Sequence, residues 1–317
     1  MTASKPGPGE VWYQHVSDGT YALDGGAMFG VVPRNLWAQR KPPDDQNRIH
    51  LGLNCLLIRT PDRNILVDDG IGTKDSEKFR TIYKVMQPPT LPEDLGRYGL
   101  TADDITDVIL THLHFDHAGG STRLDEQGEP VPTFPNAMYY VHPVNYEEAL
   151  AAHERNRASY LSWNWKPMLN RGQLTVIGGN GQIIPGVPEI TGFDSGGHAR
   201  GHMVVEANFK GTPIVYLGDI IPTAAHMGLP WIMAYDLYPV ETLEVKRANL
   251  KRWYDEGYLL FFEHETDFPW ARIQQLGEDK YEAVPIPEDT IVCGEFETRL
   301  LEGRTERTTL AGSPSGA

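Results

Sequence analysis

The sequence predicts an α/β fold in which two β-sheets are flanked by helices, on three observations. Strand-length apolar runs rich in Val, Ile, Leu and Tyr recur along the chain, each bounded by Gly, Pro, Asn or Asp. Helical patterns are fewer and fall between and beside these runs. No repeat at solenoid or propeller spacing and no Gly/Ser linker divides the 317 residues, so residues 1–300 read as a single domain. The end, "ERTTLAGSPSGA", is small, polar and Gly/Pro-containing, so residues 301–317 read as a flexible C-terminal tail.

The strand candidates run in order through "HLGLNCLLIRT", "NILVDDG", "ITDVILTH", "NAMYYVH", "QLTVIG", "EITGFD", "MVVEANF" and "PIVYLGD". A further one ends in "LLFFEHE", and "RIQQLGEDKYEAVP" reads as strand-like. Helices are expected in "SEKFRTIYKVM", "HPVNYEEALAAHE" and "VETLEVKRANLKRWYDEG", the last closing on a Gly stop. "DGGAMFGVVPRNLW", from Asp24 to Trp37, follows neither period. It reads either as a buried connector filled by its aromatics or as an apolar wall over an active site.

Composition narrows the function. A net charge of -15 and the absence of a basic patch argue against a nucleic-acid partner. No stretch is long and apolar enough to span a bilayer, and the first residues resemble no secretory or transit signal. Cys55 and Cys293 lie far apart and outside any CxxC pattern, which fits a reducing cytoplasm rather than a disulfide framework. A small-molecule substrate is the expected partner.

"THLHFDHAGG", from Thr111 to Gly120, carries the chemistry. It leaves the buried run "DVIL" and places His112, His114, Asp116 and His117 on one loop. Imidazole nitrogens and a carboxylate are preferred ligands of zinc and similar divalent ions, and such closeness costs little chain entropy. Alternation sends His112 and His114 one way while Asp116 and His117 turn to another point, which suggests two adjacent metal sites. Further donors stand at later strand ends: His198 and His202 in "DSGGHARGH", Asp219 in "VYLGDI" and His264 in "LLFFEHE". A surface histidine tract would lack this strand, this Gly-Gly turn and these later partners.

With "HLHFDH", "GGH" followed by a second "GH", "LGD" and the late His264 in place, the chain resembles the metallo-β-lactamase superfamily of hydrolases. "LVDDG" is similar to that superfamily's early Asp motif, with Asp68 in the matching place. The resemblance implies a four-layer αββα sandwich. It also implies two divalent metal ions, zinc foremost, with Mn, Fe or Co as alternatives. Carried over by position, it gives His112, His114 and His198 to one ion, Asp116, His117 and His264 to the other, and Asp219 to both. His202 takes no metal, and Asp68 orients a ligand imidazole. His15, His50, His142 and His153 default to structural or surface roles.

Two adjacent ions hold a water between them and lower its pKa, so the expected reaction is hydrolysis by a bridging hydroxide. Asp116 is the expected catalytic residue, carrying a proton to the leaving oxygen. "DGGAMFGVVPRNLW", "NCLLIRT", "FPNAMYYVH" and "GDIIPTAAHMGLPWIMAYDLYP" look like the quorum-quenching N-acyl-homoserine lactonase branch, which lies near the methyl parathion hydrolase group. That likeness implies a lactone ring over the metals and an acyl chain against apolar walls, with Met28, Phe29, Trp231 and Tyr235 as wall candidates. It also implies a homodimer contact through Asp24–Trp37. One departure is Pro222, where the best-known lactonases place a substrate-clamping tyrosine; His226 is the substitute donor considered. Ala199 and Arg200 also depart from the usual third-ligand loop, Arg200 reading as solvent-facing. The alternatives are an organophosphate or aryl-ester hydrolase, a glyoxalase-type thioesterase, and a metal-binding protein without catalysis.

Overall fold

A computed structural model describes residues 5–287 and 289–294; the expected tail, 301–317, lies outside the described residues. The first sheet contains β1 (Trp12–Asp24), β2 (Arg48–Arg59), β3 (Asn64–Val67) and β4 (Asp107–Ile109). A small hairpin, β5 (Thr122–Leu124) and β6 (Pro130–Pro132), precedes β7 (Met138–Val141) and β8 (Leu174–Val176). The second sheet contains β9 (Gly181–Gln182), β10 (Ile190–Asp194), β11 (Met203–Phe209), β12 (Thr212–Tyr216), β13 (Leu259–Phe261), β14 (Trp270–Gly277) and β15 (Lys280–Pro285). β16 (Thr290–Val292) returns to the first sheet. The orders are β16-β1-β2-β3-β4-β7-β8 and β15-β14-β13-β12-β11-β10-β9.

Alternate residues explain the layering. Leu56, Ile58, Ile65, Val67 and Ile109 point from the first sheet into one core shared with Met203, Val205, Ile214, Tyr216 and Phe261 of the second. Their neighbours Cys55, Leu57, Leu66, Val108 and Tyr139 face outward, under Leu91 and Leu95 of α4 (Leu91–Leu95) and Met168 of α6 (Lys166–Asn170). On the opposite outer face, Val204, Val215 and Leu260 pack against Leu250 and Trp253 of α7 (Pro239–Asp255). Central strands buried on both faces read as unbroken apolar runs rather than alternating ones, which is how they stood out in the sequence. The result is the expected four-layer αββα architecture.

Four departures from expectation have local causes. β1, 13 residues long, carries no continuous apolar run: Ser17, Asp18 and Gly19 interrupt it where its register with β2 shifts. α3 (Glu77–Ile82) is shorter than its apolar pattern, and the chain turns at Lys84, whose φ is 48°. α5 (Pro143–Leu150) is also short; the Asn156 side chain accepts from the His153 amide and holds a turn there instead. The aperiodic Asp24–Trp37 stretch forms two single-turn helices, α1 (Gly25–Phe29) and α2 (Arg34–Trp37), the first capped by the Asp24 carboxylate on the Ala27 amide.

Two parallel pairs, β3 with β4 and β12 with β13, direct their C-terminal ends to the same side. Asp68, the His112–His117 loop, Asp219 and His264 leave from those ends. Loops there can carry function because the strands beneath are fixed. Among the described residues no helix is long and apolar enough to cross a membrane, and Cys55 and Cys293 are both free and buried.

Candidate metal centre and active-site cavity

The loop after β4 is held by its backbone neighbours. Leu113 N donates to Asn145 Oδ1 (2.9 Å), and Asn145 Nδ2 donates to the Arg200 carbonyl (2.8 Å), tying the His112–His117 loop to the loop of His198. Gly120 approaches the Asp69 carbonyl so closely that a Cβ would lie 1.9 Å from it. Gly218, at φ +48°, gives way to the His202 ring in the same manner and lets Asp219 enter the site.

Two groups of donors face each other in the interior. His112, His114, His198 and Asp219 form one, and Asp116, His117 and His264 the other; within each group the potential ligand atoms all lie within 4.8 Å of one another. Asp219 joins them. One of its oxygens stands 3.0 Å from His198 Nε2 and 3.4 Å from His117 Nε2, and the other 3.1 Å from His264 Nε2.

The outer nitrogens of these imidazoles are already committed. His198 Nδ1 donates to Asp236 Oδ1 (3.0 Å), His264 Nδ1 to the Gly52 carbonyl (2.9 Å) and His117 Nδ1 to Asp68 Oδ2 (3.0 Å). His112 Nδ1 meets Thr111 Oγ1 (3.1 Å), whose hydroxyl in turn donates to Asp68 (2.7 Å). Each of these rings therefore turns its Nε2 inward, while His114 brings its Nδ1 to within 3.1 Å of His198 Nε2. Among the described residues the Nε2 atoms of His112 and His117 are buried without a hydrogen-bond partner, as is Asp219 Oδ1. Buried acceptors left facing one another are costly unless a cation lies between them, so the residues present fit divalent metal.

The electrostatics agree. Burial, then the neighbouring histidines, holds His112 and His114 well below the usual imidazole range, so both stay neutral and able to ligate. Burial also lowers His117, His198 and His264, but the surrounding carboxylates outweigh it and raise all three, His264 to about 9. A metal ion supplies the positive charge that these three would otherwise take up as protons.

Above the centre lies a cavity of about 310 Å³. His114, Asp116, His198, Asp219 and His264 line its floor. Its walls include Tyr21, Leu23, Met28, Phe115, Met233 and Tyr235, with Arg155, Asn156 and Ser159 along one side.

The metallo-beta-lactamase superfamily model matches residues 50–264, more than half of the chain. The chain belongs to the metallo-β-lactamase superfamily. The superfamily's sandwich recurs in the crystal structure of a probable metal-dependent hydrolase from Staphylococcus aureus, 32% identical, at a TM-score of 0.78 over 89% of this chain and 100% of that one. A probable metallo-hydrolase of Mycobacterium tuberculosis is 24% identical over 284 residues, 76% of this chain and 85% of its own length. An N-acyl homoserine lactonase of Bacillus thuringiensis is 29% identical over 179 residues, 53% of this chain and 63% of its own. The protein is thus a metal-dependent hydrolase, carrying the superfamily's His/Asp clusters.

The structure brings all seven expected ligand residues to one centre and puts Asp68 where it can orient His117. His202 is spent elsewhere: Nδ1 meets Ser195 Oγ (2.7 Å) and Nε2 accepts from the Asp219 amide (3.0 Å). Of the expected wall residues, Met28 and Tyr235 line the cavity. Phe29 and Trp231 do not; they stand behind it, Phe29 stacked between Trp37 and His226 at centroid distances of 5.3 and 4.6 Å. Arg200 is pinned outside, paired with both Glu241 oxygens and lying 3.5 Å over the Tyr238 ring.

His226 is not presented as a substitute donor. It is fully buried, Nε2 donates to the Met28 carbonyl (2.8 Å) and Nδ1 meets Thr223 Oγ1 (2.8 Å), so neither nitrogen remains for a substrate. Burial pushes its pKa down to about 3, which keeps the ring neutral in this role. Replacing His226 by Phe strands both partners and is expected to cost about 1–3 kcal/mol of stability. Turnover of the folded variant is expected to stay within about threefold of wild type, as ester-hydrolysis rates beside a denaturation curve would show; a hundredfold loss would return His226 to the site.

Three residues near the centre escaped the sequence reading. Asp236 holds His198, Glu263 stands 2.7 Å from His117 Nδ1, and Tyr21 donates to Asp116 Oδ2 (2.5 Å). Glu263 and Asp236 lie in stretches already singled out, but nothing in the spacing says which imidazole nitrogen they meet. Tyr21 lies on β1, which the apolar pattern did not reveal.

Proposed function

We propose that the chain binds two divalent ions, one at His112, His114 and His198 and one at Asp116, His117 and His264, with Asp219 between them, and that it opens lactone rings, N-acyl-homoserine lactones foremost. The observation that carries this reading is one cavity in which the metal-ligand cluster forms the floor and Leu23, Met28, Phe115 and Met233 form the walls. That shape suits a substrate with a compact polar ester head and an apolar tail. The likeness to the Bacillus thuringiensis lactonase adds weight on the same side.

When bound, such ions polarise a carbonyl oxygen and make water nucleophilic at neutral pH. The chain's own groups do the rest. Asp236, Asp68 and the Gly52 carbonyl fix the imidazole orientations from behind, so the centre is organised before substrate arrives. Asp116, at the cavity floor, is placed to pass a proton to the leaving alkoxide oxygen as the C–O bond breaks. The apolar walls exclude water from the tail and fix the head over the floor.

Turnover by metal-loaded protein on a long-chain acyl-homoserine lactone, a simple lactone, a phosphotriester and a thioester tests the reading, with Asp116→Asn as the control. Preferential opening of the acyl-homoserine lactone is expected, reduced about 10²- to 10⁴-fold in the control. Faster turnover of the phosphotriester or thioester would leave the metal centre standing and remove the lactonase assignment.

A further inference from the structure

Tyr21 is unusually placed for a phenol. Its backbone lies on β1 immediately after the register shift between Ser17 and Thr20, and such irregularities re-aim side chains. Both flanking residues are fixed from the far side, Thr20 N donating to the Met86 carbonyl (3.0 Å) and Ala22 N to the Tyr83 carbonyl (2.7 Å). The ring is 1% exposed and sits 5.5 Å from the His264 ring, yet it forms part of the cavity lining. It is therefore rigid and adjacent to the reacting centre at once.

Its hydroxyl makes the one hydrogen bond that the Asp116 carboxylate receives among the described residues, at 2.5 Å on Oδ2. The other nearby groups, His117 Nε2 and His264 Nε2, stand 3.9 Å from Asp116 oxygens, beyond hydrogen-bond reach, and the Tyr21 hydroxyl also lies 3.5 Å from that His264 Nε2. Among the described residues Asp116 thus has no other hydrogen-bonding anchor. Pro222, beside His264, offers neither a hydroxyl nor an amide proton; its carbonyl accepts from the His264 amide (3.0 Å).

We infer that Tyr21 is a positioning residue for proton delivery: by donating to Asp116 Oδ2 it holds that carboxylate in the orientation from which it protonates the leaving oxygen. This rests on the hydrolase reading above and on the role given there to Asp116. In the reaction the ester C–O bond breaks, the hydroxyl of water ends on the acyl carbon, and the remaining water proton passes by way of Asp116 to the leaving oxygen. Tyr21 keeps its own proton throughout and is neither consumed nor charged. An alkoxide leaving group, as in a lactone, needs that proton; a nitrophenolate departs without it.

The test is Tyr21→Phe, which removes one oxygen and keeps the ring, in the full metal-loaded chain. Esters sharing one acyl group, with leaving groups from 4-nitrophenol through trifluoroethanol to ethanol, are compared with an acyl-homoserine lactone, and bound metal is measured by plasma mass spectrometry. The expected result is a loss of kcat of about threefold on the nitrophenyl ester rising to about a hundredfold on the ethyl ester, with KM and metal content held. An equal loss across the series overturns the inference, and so does a loss of bound metal, which would make Tyr21 a support of the centre only. If wild type turns over the esters but leaves the lactone intact, the lactonase reading falls while the leaving-group slope still decides the role of Tyr21.

Discussion

Replacing Asp219 by Ala is expected to lower kcat/KM more than about a thousandfold, roughly 4 kcal/mol of transition-state stabilisation, even with metal in excess. The magnitude follows from position. Asp219 is the carboxylate that meets both donor groups, standing 3.0 Å from His198, 3.1 Å from His264 and 3.4 Å from His117. Its removal leaves those nitrogens with no shared anion and loosens both halves of the centre together. Asp236→Asn is the informative contrast, because among the described residues the Asp236 carboxylate hydrogen-bonds His198 and Thr242 (3.0 and 2.6 Å) and neither of the other donor group's imidazoles. Its loss is expected to weaken metal affinity about 10- to 100-fold and to be recovered by added metal. Titrating activity against metal for both variants checks the pair; recovery of Asp219→Ala to wild-type rates would contradict the shared-ligand account.

Stripping the metal is expected to lower the melting temperature substantially. Free metal at about a thousandfold its Kd contributes about 4 kcal/mol to the native state, and at about 2 °C per kcal/mol for a chain of this size the shift is roughly 8 °C. The metal-free protein should also lose stability as pH rises. Its surrounding carboxylates push His264 up to about 9 against an ordinary value of 6.5, so the folded state holds that proton more tightly than the unfolded chain. The stabilisation is complete below pH 6.5 and disappears as pH climbs through about 9. Burial raises Glu263 to about 8 from 4.5, and a raised carboxyl likewise favours the native state at low pH and loses that advantage as pH rises to 8. Metal binding runs the opposite way, since it needs deprotonated ligands. Calorimetry with and without chelator should therefore show the gap between the two forms widening from pH 6.5 to 9; a constant gap would contradict the electrostatic account.

The centre was legible in the sequence because its ligands are crowded and their chemistry is restrictive. Four donors in His112–His117 leave a buried strand together, Asp219 and His264 each stand where an apolar run stops, and His198 sits in a glycine-rich loop just before another run. The layers were legible for a related reason: strands buried on both faces, such as the one carrying residues 55–58, read as unbroken apolar runs. What supports the centre was less visible. β1 escaped notice because Ser17–Gly19 breaks its pattern at the register shift, and Tyr21 went with it. Asp236 and Glu263 matter only through the imidazole nitrogen each one faces, a three-dimensional property. His226 illustrates the reverse error. A histidine near Asp219 looks like a donor in sequence, but its ring lies against Phe29 with both nitrogens taken by Met28 and Thr223.

The central claim is that two ions sit side by side with Asp219 between them, and anomalous scattering from crystals of metal-loaded protein tests it most directly. The account predicts two peaks, one among His112, His114 and His198 and one among Asp116, His117 and His264, both adjacent to Asp219. A single peak would contradict it, as would occupancy of the neighbouring buried cluster of Asp68, His117 and Glu263 in place of the second site.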